Sequence, residues 1–238
     1  MNQSVIGKFD ALQTNLLFCF WTGPNELSEQ RREALYSIVS TTDCPVLLVR
    51  EHAIRDWELR SSPYHPAYEY LSETHKADYL RCYFMHHYGG GYTDIKQTSV
   101  SWREAFHQLR SSNALGIGYQ EVAPESVAPV GGSLEIELRE NFRSLIGNGA
   151  YIFRPYSAFT KQWIEETHVF LDGKMEELRL NPARHPRDQS GASFSDGTES
   201  CYPIGWTEML GNIFHPLVYE FRHVILQANL APSFSHYR

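Results

Sequence analysis

The chain has 238 residues, 42% of them hydrophobic and 21% charged, enough apolar content for one sizeable α/β core and too short for two independent ones. A formal net charge of -7 without a dense run of Lys or Arg argues against a surface built to neutralise many phosphates, so nucleic acid is not an expected partner. No basic start followed by a long apolar stretch opens the chain, and Cys19, Cys44, Cys82 and Cys201 lack the close pairing of a zinc site or disulfide scaffold. The expectation is a cytoplasmic protein with reduced thiols and no transmembrane segment.

Leu16 to Trp21 is the longest apolar run and ends on Thr22-Gly23-Pro24, which reads as a buried strand followed by a loop. Ser28 to Ser40 places Leu35, Ile38 and Val39 on one side of a helix, and the apolar run after Cys44-Pro45 gives a second buried strand. Strand, helix, strand predicts a parallel sheet. Trp57 to Tyr70, rich in aromatics and proline, reads as a connection with short helical pieces, after which Ser72 or Thr74 caps a helix running to Tyr88.

That helix stops at Gly89-Gly90-Gly91, and a strand begins with Tyr92-Thr93-Asp94-Ile95-Lys96. Gln120 to Ser133 and the Ser/Gly-rich stretch Gln189 to Ser200 are loops long enough to act as lids. Between them Ala150 to Phe153 reads as a strand and Ser157 to Leu171 as a helix, and Trp206 to Gly211 begins a final helical piece.

The chemistry concentrates between His75 and Lys96. Asp78 and Arg81, three residues apart, project from one helix face, while Leu80, Phe84 and Tyr88 supply apolar packing. Taken alone, such a pair is an ordinary surface ion pair of little energetic weight. Here a glycine break and Asp94 follow in order, and glycines at that point let backbone approach a bulky ligand. A carboxylate at a strand end suits a hard divalent cation. Trp21 and Trp206 each have a plain reading as packing aromatics. No P-loop, G-x-S-x-G elbow, G-x-G-x-x-G or H-E-x-x-H pattern occurs, which disfavours kinase, hydrolase and dinucleotide-enzyme chemistry.

The pattern Lys76-Ala77-Asp78-x-x-Arg81, then a tyrosine and Gly90-Gly91-Tyr92-x-Asp94, resembles the central motif of retaining glycosyltransferases with a GT-A fold. It is most similar to the group of capsular-polysaccharide-synthesis proteins, yeast initiating mannosyltransferases and clostridial glucosylating toxins. The short chain also looks like small glycosyltransferases of large algal viruses. The likeness covers about a third of the chain, from Phe18-Cys19-Phe20-Trp21-Thr22-Gly23 to Lys96, with weaker echoes at Gly147-Asn148-Gly149 and Tyr202-Pro203-Ile204-Gly205-Trp206.

The resemblance implies a single α/β domain over 1–238, with a mainly parallel central sheet and helices on both faces. The donor side would span about 15–100, and the acceptor side with its lids about 101–238. It further implies transfer of a hexose from a nucleotide diphosphate sugar, UDP-glucose before GDP-mannose, to a glycan, glycolipid or glycoprotein acceptor with retention, in surface-glycan assembly such as capsular polysaccharide. Trp21, Thr22, Gly23, Gly91, Tyr92, Asn148 and Trp206 would line the donor site. Asp78 and Arg81 would hold the sugar, and Asp94 with His215 or His236 would bind Mn²⁺ or Mg²⁺. The sequence departs from the motif at Lys96, which stands where a second aspartate is usual. Either Asp94 finds other partners for the metal, or Lys96 itself answers the diphosphate charge. The alternatives are a nucleotide-sugar or glycan-binding domain without turnover, and a nucleotide-sugar hydrolase.

Overall fold

A computed structural model describes residues 9–194 and 197–235. His236 and residues 195–196 of the Ser/Gly-rich loop lie outside the described residues.

Alternating apolar runs build a six-stranded sheet of order β2-β1-β3-β5-β4-β6, from β1 (Leu17–Trp21), β2 (Val46–Arg50), β3 (Gly90–Thr93), β4 (Gly116–Gln120), β5 (Ile146–Phe153) and β6 (Ile225–Gln227). β1 pairs in parallel with β2 and β3, and β4 with β6, while β5 runs antiparallel to both its neighbours. The fold is therefore α/β with a mixed, mostly parallel sheet, as expected in class. The reversed β5 places its first residues beside the carboxyl end of β3, where the Asp94 N–H donates to the Gly149 carbonyl at 2.8 Å.

Both faces of the sheet are covered, and strand alternation sorts the side chains. On one face Phe18, Phe20, Tyr92, Tyr151 and Phe153 join the main core with helices α2 (Glu73–His87), α5 (Ala158–Leu180) and α6 (Gly211–Glu220). On the other, Leu17, Ile117 and Ile152 pack with Trp102, Phe106 and Leu109 around α3 (Arg103–Arg110), and Cys19 packs with Ala34 and Ile38 of α1 (Glu29–Thr41). All four cysteines are free thiols, Cys19 and Cys82 fully buried. No helix among the described residues is long and apolar enough to cross a membrane.

Several local expectations change. The residue capping α2 is Ser72, whose hydroxyl accepts from the His75 amide, rather than Thr74. α1 turns Ala34 and Ile38 inward and leaves Val39 outside, because tertiary packing selects a narrower apolar stripe than the sequence offers. β3 begins at Gly90, so two of the three glycines are strand residues. Gly89 makes the exit from α2 at φ +62, with Gly90 following at φ +79, and a Cβ on Gly89 would meet the Pro155 ring, with the Pro155 nitrogen at 2.8 Å and the Phe153 carbonyl oxygen at 3.0 Å. α5 runs to Leu180 rather than Leu171, and a helix, α4 (Gly132–Glu140), starts within the expected Gln120 to Ser133 loop.

The helix-to-strand exit at Gly89 therefore combines a positive φ with backbone contact. Gly89→Ala is expected to lower stability by about 1–3 kcal/mol, since both the strained φ and the overpacking oppose it. A urea midpoint equal to that of the parent protein would show that the turn relaxes freely.

Candidate functional site

The site forms at the carboxyl ends of β1 and β3, where parallel α/β sheets leave a crevice. β1 delivers Trp21, and its indole N–H donates to the Asn25 carbonyl at 2.6 Å, closing the Thr22 to Asn25 turn. The Thr22 hydroxyl donates to the Glu73 carbonyl at 2.6 Å, tying the strand end to the first turn of α2. β3 delivers Tyr92 and then Asp94. The Lys96 N–H donates to the Asp94 carbonyl at 2.7 Å, and this tight turn folds the lysine back over the carboxylate.

The acid and base groups of the motif converge on Asp94. Arg81 Nη2 lies 3.0 Å from Asp94 Oδ1 and 3.4 Å from Asp78 Oδ1, and Arg81 Nη1 donates to the Asn148 carbonyl at 3.1 Å. Its guanidinium sits over the Tyr92 ring, 4.6 Å from the centroid. The Tyr92 hydroxyl donates to Asp94 Oδ1 at 2.7 Å, and Lys96 Nζ donates to Asp94 Oδ2 at 2.8 Å. Burial pushes the Asp94 carboxyl up, but the charges of Arg81 and Lys96 and the hydrogen bonds from Lys96 and Tyr92 outweigh it and hold the pKa at about 2. Asp78 is only 5% exposed, and burial, opposed by Arg81 and reinforced by Asp94, pushes its carboxyl up to about 6.

In front of this network opens a cavity of about 310 Å³. Of the residues expected at the donor site, Trp21, Thr22, Gly23, Arg81, Tyr92, Asp94, Lys96 and Trp206 line it. Trp206 arrives from the far end of the chain because Tyr202 packs its ring on His75, 5.5 Å between centroids, and its hydroxyl accepts from the Ser72 amide. The other expected residues lie elsewhere. Asp78 stands behind Arg81, and Asn148 contributes through its backbone carbonyl. Gly91 faces the opposite core, where a Cβ would meet Leu17, Phe106 and Trp102.

His215 is buried in α6 and does not line the cavity. Its Nδ1 accepts the Ala128 amide hydrogen at 3.0 Å, and its Nε2 lies 3.3 Å from Glu121 Oε2 without hydrogen-bond alignment. Among the described residues no group of three His, Cys, Asp or Glu side chains is placed to hold a metal ion. Both Asp94 oxygens are already taken by cationic side chains, so the residues as arranged do not fit a protein-held Mn²⁺ or Mg²⁺.

Arg31, Glu73 and Arg187 also line the cavity and were not among the expected residues. Arg31 Nη1 donates to the Ile95 carbonyl at 2.5 Å, linking α1 to the turn that carries Lys96. Arg187 is carried by a loop that docks on α2, where the Thr74 N–H donates to the Pro186 carbonyl at 3.1 Å. Nothing in their sequence neighbourhoods marks these residues, because each reaches the cavity through a long-range contact.

The raised Asp78 carboxyl has a measurable consequence. The unfolded chain releases this proton near pH ~4, whereas the folded chain keeps it up to about 6. The folded state then binds more protons across that interval, so stability falls as pH rises through it and levels off above, a loss of at most about 3 kcal/mol. Asp78→Asn carries no titrating group and is expected to lack this fall in urea midpoints measured at the two ends of the interval. An unchanged slope in the variant would assign the titration to another group. A scan against protein-family models and a search of curated proteins both find no match for this chain.

Proposed function

We propose that the chain is a glycosyltransferase that moves a hexose from a nucleotide diphosphate sugar to a glycan, glycolipid or glycoprotein acceptor. The observation that carries this reading is the charge of the cleft. Among the described residues Arg31, Arg81, Lys96 and Arg187 line it with Glu73 and Asp94, a locally basic wall in a chain whose net charge is -7. Such a concave basic site selects an anionic ligand. Trp21 and Trp206 at its walls offer flat apolar surface for a nucleobase, and its volume of about 310 Å³ suits a small ligand.

In the proposed reaction the bond from the anomeric carbon to the diphosphate oxygen breaks, and the acceptor oxygen bonds to that carbon. The acceptor proton passes to the departing diphosphate. Arg81 and Lys96 stabilise the negative charge that grows on the leaving group, the largest contribution expected in such a site. Asp78 and Asp94 hold Arg81 in place for this role. Retention of configuration, UDP-glucose as first donor and GDP-mannose as second rest on the resemblance of the motif, as does action in the cytoplasm on surface glycans. The donor side is assigned to about 15–100. The second part of the chain supplies Trp206 and Arg187 to the rim and is assigned to the acceptor.

A second reading is a nucleotide-sugar-binding domain without turnover. It draws on the engagement of both Asp94 oxygens by the side chains of Arg81, Tyr92 and Lys96. The two readings share donor binding and part at product formation.

A thermal-shift panel of nucleoside diphosphates and their sugars tests the common ground. A true donor at a hundred times its Kd is expected to add about 2.7 kcal/mol of apparent stability. No shift with any nucleotide at saturation would remove both readings. Incubation of the binding donor with saccharide acceptors, followed by mass spectrometry, then separates them, since only a transferase lengthens the acceptor. Arg81→Ala is expected to abolish the shift and to cost about 3–5 kcal/mol of stability, because it leaves the buried Asp78 carboxylate without its cation and removes one of the two at Asp94.

A further inference from the structure

A sugar diphosphate carries two negative charges where it meets the protein, and they must be answered for the donor to bind and for the diphosphate to leave. A divalent cation is one answer, held by carboxylate or carbonyl oxygens at roughly 2.0–2.6 Å. In this cleft the Asp94 carboxylate at the end of β3 is already engaged. Asp94 Oδ2 meets Lys96 Nζ at 2.8 Å, and Asp94 Oδ1 meets Arg81 Nη2 at 3.0 Å and the Tyr92 hydroxyl at 2.7 Å. A cation ligated by Asp94 would lie within about 4–5 Å of two fixed positive charges, a repulsion that a half-buried site screens poorly.

The ammonium itself is held from three sides. The turn from Asp94 fixes its backbone, the Asp94 carboxylate grips its head, and the Phe234 ring covers it at 4.9 Å from the centroid. The segment carrying Phe234 is tied down where the Ser233 N–H donates to the Gln97 carbonyl at 2.7 Å. Lys96 is only 12% exposed at its side chain yet lines the cavity, which is the placement of a fixed counter-charge and not of a solvated surface lysine. Among the described residues four basic side chains and two acidic ones line the cavity, a wall that favours an anionic ligand.

We propose that the site binds the diphosphate of its ligand without a divalent cation, with the Lys96 ammonium occupying the place and the electrostatic role of the metal. Asp94 then serves to hold an ammonium and a guanidinium, not to ligate an ion. The inference rests on the nucleotide-sugar reading of the cleft.

Calorimetric titration of the full chain with UDP and with GDP, in EDTA and in excess Mn²⁺, tests it. The nucleotide that binds is expected to show a Kd in EDTA within about twofold of its value in Mn²⁺, since no linked ion takes part. Lys96→Met, which keeps the length of the stem and removes the charge, is expected to weaken binding about tenfold or more in both buffers. Lys96→Asp places two carboxylates one residue apart, and it is expected to bind poorly in EDTA and to regain affinity in Mn²⁺. Melting curves by circular dichroism establish that both variants are folded. Binding by the parent protein that vanishes in EDTA and returns with Mn²⁺ would overturn the proposal, as would a folded Lys96→Met with unchanged affinity. If neither nucleotide binds the folded parent protein in either buffer, the nucleotide-sugar reading itself fails and takes this inference with it.

Discussion

The guanidinium of Arg81 is the point on which the site depends. It reaches from α2 across the end of β3 to the first residues of β5, touching Asp78, Asp94, the Tyr92 ring and the Asn148 carbonyl. The consecutive α2 and β3 and the remote β5 are thereby held in register by one planar cation, a task that the fixed fork of arginine performs and a lysine would not. Buried ion pairs of this kind contribute little net stability compared with apolar packing of the same volume, because desolvation offsets attraction. Their effect is to fix one arrangement of charges. The split between Asp94, held at about 2, and Asp78, raised to about 6, follows from that arrangement. Asp94 has two cationic partners within 3.0 Å, and Asp78 has one at 3.4 Å and less freedom to be solvated.

The aromatic core backs this charged cluster on the side away from the cavity. Phe20 stacks on Tyr92, and Tyr92 packs against Tyr151, which in turn meets Trp163 and Phe214 from α5 and α6. The floor of the charge network is thus continuous with the largest apolar cluster of the protein. Large, rigid rings make few voids, so the network rests on a surface that resists deformation. The reversed direction of β5 matters as well. A parallel strand at this position would bring its other end to the site, and neither the Gly149 carbonyl that accepts from Asp94 nor the Asn148 carbonyl that accepts from Arg81 would be there.

The rim is assembled from segments that the sheet does not position. Tyr202 on His75 and the Pro186 carbonyl on Thr74 dock two stretches from the second half of the chain onto the first turn of α2. They carry Trp206 and Arg187 to the cavity. Trp206 remains 50% exposed, as a side chain at the lip of an open cleft would be. The same docking leaves the Ser72 cap of α2 buried, so the end of the helix that bears Asp78 and Arg81 is anchored by contacts from three directions.

The sequence by itself determined the elements whose signals are local. The apolar runs of β1 and β2, a cap at Ser72 or Thr74, the shared helix face of Asp78 and Arg81 and the glycine exit before Asp94 were legible, because periodicity, capping and turn chemistry act over a few residues. The tertiary structure alone decided the rest. β4, with glycine at two of its five positions, and the three-residue β6 carry too little alternation to read as strands until their neighbours pair with them. Gly91 was drawn to the site by its place in the motif, whereas alternation along β3 turns it to the opposite face. His215 offered only its residue type, and α6 places it beside Glu121 with its Nδ1 accepting from the Ala128 amide. Arg31, Arg187 and the cover of Phe234 over Lys96 have no local signature, since the chain must close over long distances before these groups meet. Whether Lys96 is a defect in a metal motif or a built-in counter-charge turns on the 2.8 Å between its ammonium and Asp94, a distance that spacing in sequence does not contain.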